Sequence, residues 1–152
     1  MRLVIQRVTG ATVRSGRETL GSIERGALVL VGIASGDTPE LVDRMAGKLL
    51  GLRYFDDAEG GTNLSLADIG GALLVVSQFT LLADLRRGRR PGFGLAAAPE
   101  VAEPLVERLC ATLRSAGAEV EVGRFGASML VELLNDGPFT LLLDSDRDLA
   151  AG

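Results

Sequence analysis

Histidine is absent from the 152 residues, which removes the usual general base, the usual zinc ligand and every Ser-His or Cys-His nucleophilic arrangement. Cysteine is nearly absent. Cys110 stands alone, so no internal disulfide can form and the paired thiols of a zinc or redox motif are missing. Neither a metal nor an organic cofactor is expected, and a reducing, cytoplasmic compartment suits the composition. Long apolar runs are also lacking. The longest, such as Ala27 to Ala34 and Leu73 to Val76, fall well short of the roughly 20 residues needed to cross a bilayer, so no membrane partner is expected. Polar residues interrupt the opening Met1-Arg2-Leu3-Val4-Ile5-Gln6-Arg7 before any signal-peptide core could form. Positive charge is in deficit. A formal net charge of -4 is opposite to the basic field of a protein that holds nucleic acid over a broad surface, so an RNA partner would have to be gripped locally, and DNA is not expected as one.

What the chain does have is apolar material. With 47% hydrophobic residues it can bury a core unaided, and its length suits one domain, residues 1–152. Leu3 to Val8 reads as a strand leading into a hairpin, with short β-prone pieces at Ala11 to Val13 and Thr19 to Ile23 separated by Gly10 and the Ser15-Gly16 turn signal. Ala27 to Ala34, rich in Val and Ile and bounded by glycines, reads as a buried central strand. A helix should follow: Thr38 can cap it, Pro39 suits its first position, Leu41, Met45 and Leu49 recur every four residues, and Gly51 is placed to end it. Asp56 to Asn63 reads as a polar glycine-rich loop, and Ala72 to Val76 as another strand.

A second helix is expected from Pro99 or Pro104 to Ala116, with Val101, Leu105, Leu109 and Leu113 on one face and Gly117 as its stop. Pro104 either begins that helix or kinks it. Ala118 to Val122, Ser128 to Leu134 and Phe139 to Leu143 read as three further strands, and the polar tail from Asp144 as frayed. Several strands broken by two helices indicate a mixed α/β or α+β domain, a curled, barrel-like sheet flanked by two helices.

Three segments carry hydrogen-bonding chemistry. At Ser77-Gln78-Phe79-Thr80-Leu81 an apolar strand abruptly gains three polar side chains, which suits either a ligand site or a strand edge with satisfied hydroxyls. Asn135-Asp136-Gly137-Pro138-Phe139-Thr140 sits between two strands and could be a plain turn. Arg86, Arg87, Arg89 and Arg90 fall within five residues of an acidic chain; they could form a solvated loop or, through arginine's fork geometry, a phosphate site.

Taken together these segments closely resemble the D-aminoacyl-tRNA deacylase family, whose two motifs stand here in order at Ser77 to Thr80 and at Asn135 to Thr140. The resemblance extends over nearly the whole chain and includes Val4 to Val8, Asn63-Leu64-Ser65, the arginine loop and Gly123-Arg124-Phe125-Gly126. Gly92 departs from it, since serine is expected there in relatives.

The resemblance implies a homodimer in which the Gly137-Pro138 bond is cis and each subunit inserts this dipeptide into its partner's site. A cis bond would turn the two carbonyl oxygens the same way, and two converging acceptors can hold an α-ammonium. With ammonium and ester fixed, an L side chain would be driven into the dipeptide while a D side chain points outward. Many D-amino acids, and glycine, should then be accepted. Arg7 is similar to a family arginine that orients the dipeptide, and Asn135 and Thr140 support the same motif.

Catalysis has to proceed without histidine. Thr80 has no base signalled by the sequence, so the expected route is substrate-assisted: the 2′-hydroxyl of the terminal adenosine activates water, and backbone N–H groups around Phe79 and Thr80 stabilise the oxyanion. Ser77 and Gln78 would position the terminal nucleotide. The alternatives are a noncatalytic RNA-binding module, a hydrolase with Thr80 or Ser77 as covalent nucleophile, and a purely structural dimer. Cys110 reads as a packed side chain rather than a reactive thiol.

Overall fold

The computed structural model describes residues 1–86 and 88–149. Its first strand, β1 (Arg2–Ser15), organises the rest. Along one edge it pairs antiparallel with β3 (Gly26–Gly32) through its first half and with β2 (Glu18–Ile23) through its second. The other edge is covered for almost its full length by the antiparallel β8 (Leu130–Asp144). Beyond β3 the sheet continues in parallel through β6 (Ala72–Ser77) to β7 (Glu119–Val122). Because β2 folds over to touch β6 and β7, the sheet curls toward a barrel. Mixed α+β architecture with a curled sheet is the expected class.

Alternating burial divides the sheet into two apolar faces. Leu3, Ile5, Val29, Val31, Leu73 and Val75 point toward the helices α1 (Pro39–Gly51) and α2 (Pro99–Ser115). Leu28, Leu74 and Val76 point the other way and meet Val8, Val13 and Ile23 inside the curl. The α1 cap is the expected one, with Thr38 accepting from the Leu41 N–H at 3.3 Å. Across the helix pair, Arg108 grips Asp43 through bonds of 3.0 and 2.6 Å. No helix among the described residues is long and apolar enough to cross a membrane.

Several local expectations are corrected. The second helix takes the earlier of its two expected starts, Pro99, and runs through Pro104, but its buried face uses Ala102 while the expected Val101 lies exposed. Residues on either side of the glycine-rich loop form an antiparallel ribbon, β4 (Arg53–Asp56) with β5 (Thr62–Ser65), so only its middle is loop. The tail is not frayed at once: α3 (Ser145–Asp148) is capped by Asp144, whose side chain accepts from the Asp146 N–H. The segments Ser128 to Leu134 and Phe139 to Leu143 form one strand rather than two, because both halves pair with β1.

That merger leaves an irregularity. Gln6 faces Thr140 and Val8 faces Asn135, so the residues from Asp136 to Phe139 bulge out opposite the single residue Arg7.

Candidate active site

β6 delivers Ser77 to the mouth of the sheet, where the Gln78 N–H still bonds the Val31 carbonyl at 2.7 Å. Immediately afterwards the chain winds into a 3₁₀ turn over Phe79–Leu82. Gly32 of β3 permits this: a Cβ there would stand 2.4 Å from Leu82 Cδ2 and 3.2 Å from the Gln78 carbonyl. Arg2 fixes the turn from outside by donating to the Leu81 carbonyl at 2.9 Å while its Nε bonds Asp144 at 2.7 Å. Burial opposes ionisation of Asp144, but the bonds from Arg2 and the Asp146 N–H outweigh it and hold the carboxyl below its usual range.

The first amides of such a turn have no partner within it. Among the described residues the N–H groups of Phe79 and Thr80 reach no acceptor. The Thr80 hydroxyl is engaged by the Gln78 side-chain amide, a group with no basicity in either orientation.

Ser77, Gln78 and Phe79 line a cavity of about 510 Å³ that opens between the end of the sheet and the start of α2. Its size is in the ordinary range for a small ligand. Phe93 closes one side and meets Phe79 edge to face at 5.0 Å, while Phe125 and Met129 line it from the segment between β7 and β8. Phe79 is 56% exposed, an unusual condition for an aromatic ring and one that suits a contact surface. Phe93 and Met129 were not singled out in the sequence; they converge from distant segments, and no local pattern announces that.

The second motif lies elsewhere in the protomer. The bulge Asp136–Phe139 is clamped by Asn135, whose Nδ2 donates to the carbonyls of Arg7 (3.0 Å) and Phe139 (2.9 Å) and whose Oδ1 accepts from the Phe139 N–H at 3.1 Å. Arg7 is buried. Its Nε donates to the Asp136 carbonyl at 2.9 Å and its Nη1 to the Tyr54 carbonyl at 2.9 Å, and its guanidinium lies 4.7 Å from the centre of the Phe139 ring. Asp56 joins the same Nη1 at 3.2 Å and itself accepts from the Thr62 hydroxyl at 3.1 Å, so the β4–β5 ribbon braces the arginine. Gly137 and Pro138 are exposed at the crest, with a cis bond between them. Thr140 returns to the ladder beside Gln6. None of the residues from Asn135 to Thr140 lines the cavity of Ser77 to Phe79.

The arginine loop departs from the end of the turn and is pinched by reciprocal backbone bonds between Asp84 and Gly92, at 2.7 and 2.9 Å. Gly92 participates through its backbone, and a Cβ there would meet nothing closer than 3.8 Å, so the expected serine is not required by these contacts. Arg86 turns back onto Asp84 with two side-chain bonds of 2.8 Å, which hold that carboxyl well below the usual range. Arg89 and Arg90 are exposed, and Arg87 lies outside the described residues. Cys110 is buried on α2, and burial pushes its thiol up, away from the reactive thiolate.

A family model described as D-Tyr-tRNA(Tyr) deacylase matches residues 4–144 and so spans the turn, the bulge and the sheet between them. The chain belongs to this family. The D-aminoacyl-tRNA deacylase of Anaeromyxobacter dehalogenans is 54% identical over 147 residues, 97% of this chain and 99% of the relative. The protein of the same description from a Roseiflexus species is 55% identical over 145 residues, covering 95% and 94%. Among solved structures, one described as c-Myc DNA Unwinding Element Binding Protein is 39% identical with a TM-score of 0.90, covering 95% of this chain and 98% of its own. A probable eukaryotic D-amino acid tRNA deacylase shares the fold at a TM-score of 0.80 and 21% identity.

Proposed function

We propose that this family member hydrolyses the ester joining a D-amino acid to the 3′ end of tRNA, acting as a homodimer. The observation that carries the reading is the conjunction at the end of β6: a nucleoside-sized cavity bounded by Ser77, Gln78 and Phe79, beside two amide N–H groups without an acceptor among the described residues. Ser77 and Gln78 position the terminal adenosine, and the Phe79 and Thr80 amides receive the developing oxyanion. Thr80 lacks a base, so its role is positional, and water activation falls to the adenosine 2′-hydroxyl.

Chiral choice then belongs to Gly137-Pro138 of the other subunit. Within one protomer the dipeptide and the cavity are separate, and the strand that carries the dipeptide has a second edge with no strand partner among the described residues. Leu130 and Leu134 on that strand are 72% and 70% exposed, an apolar surface that a second copy would cover. A dipeptide introduced in this way lies where an L side chain would project, so D-aminoacyl esters and glycyl esters pass and L-aminoacyl esters are rejected by clash. Arg7, Asn135 and Thr140 hold the crest in place. Arg89 and Arg90, with Arg86 and Arg87, supply phosphate contacts, the share of Arg86 being reduced by Asp84; the KM for tRNA should therefore rise with salt.

Incubation with D- and L-aminoacyl-tRNA, following ester loss, tests the reading. Loss of the D ester only is expected, and a terminal 2′-deoxyadenosine should depress turnover far more than binding. Binding without turnover on either ester would establish an RNA-binding module instead.

A further inference from the structure

A second cavity, of about 330 Å³, adjoins the first and shares Ser77, Val106 and Phe125 with it. The two follow one another along α2. Pro99, Ala102 and Val106 face the first, and Glu103, Glu107, Cys110 and Arg114 face the second. The α2 positions that line them are offset by roughly six residues on average, or about 9 Å along the helix at 1.5 Å per residue. Two adjoining cavities offset in this way can receive two consecutive bases splayed apart from one strand.

We propose that this second cavity is a subsite for the nucleotide immediately 5′ of the terminal adenosine, a cytidine in tRNA; the inference rests on the reading of the first cavity given above. Its lining offers the three chemistries such a nucleotide needs. Glu103 and Glu107 present carboxylate oxygens, the natural acceptors for the exocyclic amine of cytosine. Cys110, kept neutral by burial, gives an uncharged floor. Arg124, next in the chain to the shared wall residue Phe125, stands beside the path of the connecting phosphodiester, with one guanidinium nitrogen held 2.9 Å from both oxygens of Glu18. At the far end one nitrogen of Arg114 is fixed by a 2.7 Å bond to the Val120 carbonyl. Acceptors along one wall, with Arg114 at the far end and Arg124 sharing its charge with Glu18, make a nucleotide a better occupant than a free anionic metabolite, which the two glutamates would repel.

The test compares D-aminoacyl esters of adenosine, of cytidylyl-adenosine and of uridylyl-adenosine. The cytidylyl ester should show a KM at least ten-fold below that of the adenosine ester, with kcat within two-fold, and uridine should forfeit most of the gain. Glu107→Gln should level cytidine with uridine, and Arg124→Ala should weaken both dinucleotides, while each variant hydrolyses the adenosine ester like wild type. Equal KM for the adenosine and cytidylyl esters would overturn the subsite and leave the deacylase reading intact. Failure of all three esters to react would overturn the reading of the first cavity, and the subsite with it.

Discussion

Gly137 has a φ of +143°, a region that side chains rarely enter, and a Cβ built on it would stand 2.8 Å from the Phe139 N and 3.0 Å from the Phe139 Cβ. Gly137→Ala should therefore cost about 1–3 kcal/mol of stability. It should also lower kcat/KM on D-aminoacyl-tRNA at least ten-fold, since the crest is displaced; a variant with wild-type kinetics would dissociate the dipeptide from the site. Thr80→Ala probes the other motif. With its hydroxyl engaged by an amide and bonded to no carboxylate among the described residues, removal should leave deacylation within about ten-fold of wild type. Isolation of an acyl-threonine, or a folded but inert variant, would reinstate covalent catalysis.

Among the elements, α2 matters most to the site because it walls both cavities, yet it carries Pro104 in its interior. Proline there removes the hydrogen bond to the Glu100 carbonyl and costs up to about 3 kcal/mol against alanine, offset by about 0.4–1 kcal/mol from a stiffer unfolded chain. Pro104→Ala should raise stability by about 1–2 kcal/mol, read as a higher melting temperature in a calorimeter; a lower one would mean that the proline packs usefully. The same helix shows how far local pattern reaches. Its limits and the Leu105, Leu109, Leu113 stripe follow from spacing, but the first turn was set out of phase, because Val101 is the more apolar residue while Ala102 is the one that faces the sheet. The β4–β5 ribbon escapes local pattern for a related reason: Arg53 to Asp56 has two apolar residues side by side rather than alternating, and the Tyr54 carbonyl is bonded by the distant Arg7. Both short motifs could be read directly as polar residues inside apolar strands. The aromatic walls of the cavity could not, being assembled by long-range packing.

For the whole molecule, the exposed leucines of β8 predict that the protomer is incomplete. Leu134→Asp alters a side chain that is 70% exposed, so it should spare the fold; on the proposal of a homodimer it should also yield a monomer in sedimentation where the wild type sediments as a dimer, and reduce deacylation at least 100-fold. A monomeric variant that retained activity would exclude a site shared between subunits. Acid stability is a second global property. Asp144 is held below its usual value near 3.8, so its contribution is fully present above that value and is lost as pH falls through the lower folded value. Asp144→Asn should flatten the loss of stability below about pH 4 in urea titrations; an unchanged acid limb would assign that loss to other carboxylates.

The bulge opposite Arg7 also separates two demands that usually compete within a β-strand. Register on either side of it is dictated by β1, at Gln6 with Thr140 and at Val8 with Asn135, so the ladder is indifferent to what the intervening residues are. Asn135 and Arg7 hold the segment largely through backbone carbonyls and an amide, groups that every sequence possesses; the side chains that join in are the ring of Phe139 and the carboxylate of Asp136, 3.5 Å from the Arg7 Nε. The crest is thus an adjustable fingertip on a rigid hand: a library randomised at Asp136, whose carboxylate is nearly half exposed, should remain largely foldable while Gly137 and Pro138 are kept, so the presentation of the dipeptide can be tuned without renegotiating the barrel.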